Sequence, residues 1–163
     1  MTGDPVTRKQ AHLGISIPHP VAMALAAATF VAFPAAAAEF RSVAGSAAVV
    51  YDAPSAKAKK LYVLGYGYPL EVVVVVEGWS KVRDASGEMT WVESKLLSDK
   101  RTVMVKQALA QVREAADDKA PVAFQAEQNV LLELLETAGG GWLRVRHRDG
   151  QSGFIRASQV WGA

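Results

Sequence analysis

Along most of the chain, apolar and polar residues alternate in short runs separated by glycine, proline, aspartate and serine. This period-two pattern is that of half-buried strands. In Trp79-Ser-Lys-Val-Arg83 and Thr90-Trp-Val92 it puts Val82 and Val92 on the core face and turns Trp79 and Trp91 away from it. Ser86-Gly87 forms the turn between these two strands. The same hairpin recurs as Trp142-Leu-Arg-Val-Arg146, Asp149-Gly150 and Phe154-Ile155, 63 residues further on. Asp-Gly is a strong hairpin signal because glycine accepts a positive φ.

The correspondence extends into a full repeat. Downstream, Leu97 falls on Val160; upstream, Leu61 is aligned with Val122 and Leu70-Glu71 with Leu131-Leu132, at an offset of 61. The change of offset predicts a two-residue insertion in Thr137-Ala-Gly-Gly-Gly141. The sequence therefore predicts two units, 43–98 and 102–162, joined by Ser98-Asp-Lys-Arg101. Each has a strand ending near Tyr51 or Val112, a long loop, then three further strands with a turn at Gly65–Tyr68 in the first. Units of about 60 residues bury only ~60% of their unfolded surface, so contact between them is expected.

The repeat also decides two local conflicts. Leu131-Leu-Glu-Leu-Leu-Glu136 has helix-forming residues, but its partner is the β-branched run Val72–Val76, so both are read as strands. Gln107–Ala116 is read as a strand entering a loop. The valine run itself is expected to be a central strand buried on both faces.

The N-terminal segment has a different character. Arg8 and Lys9 precede an apolar run from Val21 to Phe33, Pro34 ends it, and Ala35–Ala38 offers small residues for cleavage. This is the order of a secretory signal peptide over residues 1–38, exported by the general route. The run is shorter than the ~20 residues of a membrane span, so no stable span is expected after cleavage. The long stretch before it points to a translation start downstream of Met1. Removing Asp4, Arg8 and Lys9 with this segment takes the 18 basic and 16 acidic residues to 16 and 15. Such a balance does not suggest nucleic acid. With no cysteine, an exported chain must be stable through packing rather than disulfides.

Gly78-Trp-Ser-Lys-Val-Arg, Gly87, Thr90-Trp-Val and Ser94-Lys-Leu-Leu97 together resemble the bacterial SH3-like domain. Trp142-Leu-Arg-Val-Arg, Gly150 and Gly153-Phe-Ile carry the resemblance in the second unit. It implies an all-β fold of two tandem SH3-like small β-barrels. It also implies a non-catalytic, periplasmic or cell-envelope binding module that recognises peptidoglycan or its peptide stems. The sequence departs from the family in the loop after the first strand, where only Ala53-Pro54-Ser55 and Val112-Arg113 remain of a usual Asn-Val-Arg-x-Gly-Pro stretch. Thr90 also replaces the family's glycine before Trp91.

No constellation for catalysis, cofactor or metal emerges. Cysteine nucleophiles are excluded, and His147, between two arginines, lacks the setting of a serine triad or the ligand spacing of a metal site. Aromatic and basic residues on the outward strand faces remain. Trp79, Trp91, Lys81, Arg83, Tyr66 and Tyr68 are the candidate ligand-binding residues of the first unit, and Trp142 and Arg144, with Arg146 and Trp161, those of the second. Aromatic rings can stack on sugars or extended peptides while basic groups pair with carboxylates. The partner is then peptidoglycan or a periplasmic protein. The competing expectation is a structural or protein-interaction module whose aromatic faces are buried between the barrels.

Overall fold

The computed structural model describes residues 2–3 and 38–163. Apart from Thr2, Gly3 and Ala38, the expected signal peptide lies outside the described residues. The described chain folds into two seven-stranded antiparallel sheets, each forming one small barrel. The first contains β1 (Glu39–Val43), β2 (Ala47–Tyr51), β3 (Lys60–Gly65), β4 (Pro69–Val76), β5 (Trp79–Arg83), β6 (Met89–Glu93) and β7 (Leu97–Ser98). The second repeats them as β8 (Thr102–Val105), β9 (Leu109–Arg113), β10 (Val122–Glu127), β11 (Leu131–Gly139), β12 (Trp142–Arg146), β13 (Ser152–Arg156) and β14 (Val160–Trp161). Strand order is β3-β2-β6-β5-β4-β1-β7 in the first and β10-β9-β13-β12-β11-β8-β14 in the second. A single 3-10 turn precedes the last strand of each, at Ser94–Leu96 and Ala157–Gln159.

The alternation in sequence becomes the two faces of each sheet. Val50, Val82 and Val92 are fully buried in the first core with Leu70; Val112, Val145, Ile155 and Leu132 fill the second. The helix-forming Leu131–Glu136 is extended, as its valine-rich counterpart requires. Here cross-strand packing outweighs a preference worth only tenths of a kcal/mol per residue.

The upstream register differs from the expected offset of 61. Buried Leu70 corresponds to buried Leu132, Val50 to Val112 and Leu64 to Ala126, an offset of 62. A one-residue slip would turn every side chain of β11 to the opposite face, so burial fixes the alignment. The extra residue is not in the turn. Both hairpins close on two residues, with Val76 facing Trp79 and Gly139 facing Trp142. Those turn residues, Glu77-Gly78 and Gly140-Gly141, all have positive φ, from 47° to 86°, the geometry that suits strand twist. β4 has one register shift, around Val73, whereas β11 has two, around Leu135 and Ala138. Ala138 is the insertion, absorbed as a β-bulge.

The valine run is also not buried on both faces. Val73, Val74, Val75 and Val76 are 43–56% exposed. β1 pairs with β4 only as far as Val72. Beyond that point β4 has β5 as its one partner, and the bulge at Val73 disrupts the inward alternation.

The two barrels meet through β1, the turn before β4, the linker and the C-terminus. Phe40 packs edge-to-face on Trp161, with ring centres 5.2 Å apart at 85°. Arg101 lies over Phe40, 5.6 Å from its centre, and donates to the Gly162 carbonyl at 2.8 Å. Thr102 donates to the Gly67 carbonyl at 2.6 Å, and the Ser42 hydroxyl donates to the Lys100 carbonyl. All four residues of β8 are buried, because it has the second core on one side and this contact on the other. Gly162, at φ 99°, sits where a Cβ would approach the Thr102 carbonyl to 2.7 Å and Pro69 Cβ to 2.9 Å.

Candidate functional site

The alternation of β5 sends Trp79, Lys81 and Arg83 outward while Ser80 and Val82 face inward. On β6 the same rule sends Trp91 and Glu93 outward. Trp91 lies opposite Lys81 on one side and opposite Tyr51 of β2 on the other. Residues directly opposed across a sheet share a face, so Tyr51, Trp91 and Lys81 form one row across three strands, in which Tyr51, only 7% exposed, is a covered support for its neighbours. Trp79 joins it by meeting Tyr51 edge-on, with ring centres 5.3 Å apart at 89°. The Lys81 ammonium lies 5.9 Å from the centre of the Trp91 ring, at the outer limit of a cation–π contact. Glu93, paired with Lys95 at 2.6 Å, borders Trp79 on the adjacent strand. Both tryptophans are half-buried, with one part of each ring anchored and another open to solvent.

The hairpin carrying this face is fixed by Asp84, which is only 6% exposed. One carboxylate oxygen accepts from the Ser86 amide and hydroxyl and from the Glu88 amide, at 2.6–3.0 Å. The other accepts from the Tyr62 hydroxyl at 2.9 Å. Burial works against the charge of Asp84, but the bonds from Ser86, Tyr62 and Glu88 outweigh it and hold the carboxyl below its usual range. Burial, reinforced by this carboxylate, pushes the Tyr62 hydroxyl well up.

The remaining expected residues divide among different places. Arg83 is on the same strand face but is tied to Glu71 at 2.9 Å. Tyr68 packs against the first core, and burial followed by the nearby Asp84 charge raises its hydroxyl. Tyr66 is 59% exposed and stands away from the aromatic row, at the junction of the barrels. In the second barrel, Trp142 is 5% exposed, so its ring is not presented as expected. The Arg156 guanidinium lies over it at 4.1 Å, held by Asp118 and the Gly140 carbonyl. Arg144 is exposed, 3.7 Å from Glu136. Trp161 is committed to Phe40 in the contact between the barrels. Burial between barrels therefore applies to Trp161, whereas Trp79 and Trp91 occupy the outer face of the first barrel.

Two features were missed in the sequence. Tyr51 was legible, since it follows core residue Val50 and must point the other way. The second feature is a cleft of about 770 Å³ between the barrels, lined by Tyr66, Lys100, Glu133, Arg146, His147 and Arg148 among others. Its residues are scattered over four regions of the sequence, and no local pattern connects them. Among the described residues there is no cluster of three or more His, Asp or Glu suited to a metal ion. No helix among them is long and apolar enough to cross a membrane.

Similar solved structures include NlpC2 from Trichomonas vaginalis, at 15% identity and a TM-score of 0.36, covering 77% of this chain and 48% of that one. NlpC1 from the same organism has 16% identity and a TM-score of 0.37, with 79% and 47% covered. An NlpC/P60 family protein from Bacillus cereus has 17% identity and a TM-score of 0.35, with 75% and 55% covered. The chain thus spans about half the length of each. No curated protein matches it. The family model for the bacterial SH3 domain matches twice, at residues 44–99 and 106–162, which together make up more than half of the chain. With six of the seven strands of each barrel inside a match, the chain belongs to the bacterial SH3 domain family as a tandem pair.

Proposed function

We propose that this chain is a non-catalytic, exported binding module of the cell envelope that attaches to peptidoglycan through the outer face of its first barrel. The observation that carries this reading is the pair of half-buried tryptophans on one outward face, Trp91 beside Lys81 and Trp79 seated against the buried ring of Tyr51. Aromatic faces pack on the apolar faces of sugar rings, and polar groups at their edges bond to the hydroxyls. Lys81 and Glu93 supply donor and acceptor at this border. The site is held by rigid strands, so little ordering accompanies binding. The order of basic residues, apolar run and small residues before Glu39 supports export to the periplasm.

Co-sedimentation with purified sacculi tests the reading. Wild-type protein is expected in the pellet, and Trp79→Ala and Trp91→Ala proteins that retain the native far-UV circular dichroism are expected in the supernatant. Wild type remaining in the supernatant would refute it. Loss of folding in either variant would instead make these rings structural.

A further inference from the structure

The cleft between the barrels has a chemistry different from the aromatic face. Its volume, about 770 Å³, falls within the ~300–1,000 Å³ typical of ligand sites. The first barrel contributes Tyr66 and Gly67, the linker Lys100, and the second barrel β11 with the hairpin from Arg146 to Gly150. Neither barrel forms it alone.

Its charge is unbalanced. Lys100, Arg146 and Arg148 line it against a single carboxylate, Glu133. Glu133 bonds Lys100 through one oxygen at 3.3 Å and Arg146 through the other, at 2.9 and 3.2 Å. The bond from Arg146, and then the Lys100 ammonium, hold the Glu133 carboxyl below its usual range although burial opposes this. Arg146 uses Nε and Nη2 in that pair, leaving Nη1 as a further donor. Arg148 is exposed and makes no ion pair among the described residues. The fold thus already holds one carboxylate among these cations and retains cationic donors for another. Tyr66 adds an exposed ring to the same cleft.

We propose that this cleft is a second binding site, for an extended peptide bearing free carboxylates, read jointly by the two barrels. A carboxylate entering it would pair with Arg148 and the unused Arg146 donor, with Tyr66 packing on the peptide backbone. The choice of a peptidoglycan stem as that peptide rests on the function proposed above; the charge and location of the cleft do not. The two sites also explain the tandem arrangement: the first barrel alone presents the aromatic face, but the cleft requires both.

The test is calorimetric titration of the full chain with the stem pentapeptide L-Ala-γ-D-Glu-L-Lys-D-Ala-D-Ala and with the same peptide amidated at its carboxylates. The free peptide is expected to bind, and amidation to weaken it roughly tenfold or more. Arg148→Gln, at an exposed turn, should weaken binding of the free peptide about tenfold, with a smaller loss for Lys100→Gln. Lys57→Gln, in an exposed loop of the first barrel outside both sites, should leave it unchanged. Equal binding of the two peptides, undiminished binding by Arg148→Gln, or no binding overturns the proposal. Pelleting on sacculi without pentapeptide binding would overturn this site alone. Carboxylate-dependent pentapeptide binding without pelleting would overturn the aromatic-face reading alone.

Discussion

Asp84→Ala provides a quantitative test of how the hairpin bearing Trp79, Lys81 and Trp91 is held. The wild-type carboxylate accepts from Ser86, Glu88 and Tyr62. Ser86 and Glu88 are exposed, so after truncation water can replace most of what their donors lose. The half-buried Tyr62 hydroxyl has less access to water, and a bond to a charged group contributes ~1.5–3 kcal/mol. Allowing about 1 kcal/mol for the turn bonds together, the variant should lose roughly 3 kcal/mol. In a domain of this size that lowers the thermal midpoint by roughly 10 °C or more, measured by circular dichroism at neutral pH. The pH dependence provides a second reading. The Asp84 carboxyl is held below its ordinary 3.8, so its stabilisation is complete above that value and is lost as pH falls through the folded-state value. The stability gap between wild type and variant should therefore narrow in strong acid. A variant as stable as wild type at neutral pH, or a gap that does not change with acidification, would refute the assignment.

Two further perturbations probe the rest of the molecule. Phe40→Ala removes the ring between Trp161 and Arg101 and is expected to cost about 3 kcal/mol in urea denaturation, with a change in Trp161 fluorescence. Arg156→Ala uncovers Trp142; loss of the stacked cation should cost ~0.5–1 kcal/mol and make Trp142 accessible to iodide quenching.

The fold was legible because two copies of one pattern constrained each other. The valine-rich β4 identified Leu131–Glu136 as a strand, although that segment alone favours helix. Alternation placed Val82 and Val92 inside and Trp79 and Trp91 outside. It failed at bulges, which change strand phase without a compositional mark: Ala138 hid in an alanine-glycine stretch, and Val73 in a row of identical side chains. The site was less legible. Trp142 matches Trp79 in sequence, but its exposure depends on position 156, where arginine in place of Glu93 covers the ring. The inter-barrel cleft depends on how the barrels dock, which repeat alignment does not encode.

The central claim concerns which tryptophans meet the ligand, and the protein contains its own controls. Four tryptophans give four indole N–H resonances in a two-dimensional nitrogen–proton spectrum, each assignable by substitution. On titration with soluble, peptide-free glycan fragments of peptidoglycan, the resonances of Trp79 and Trp91 should move together and saturably. Those of Trp142, beneath Arg156, and Trp161, against Phe40, should remain in place. Movement confined to Trp142 or Trp161, or no movement of any of the four, would contradict the account.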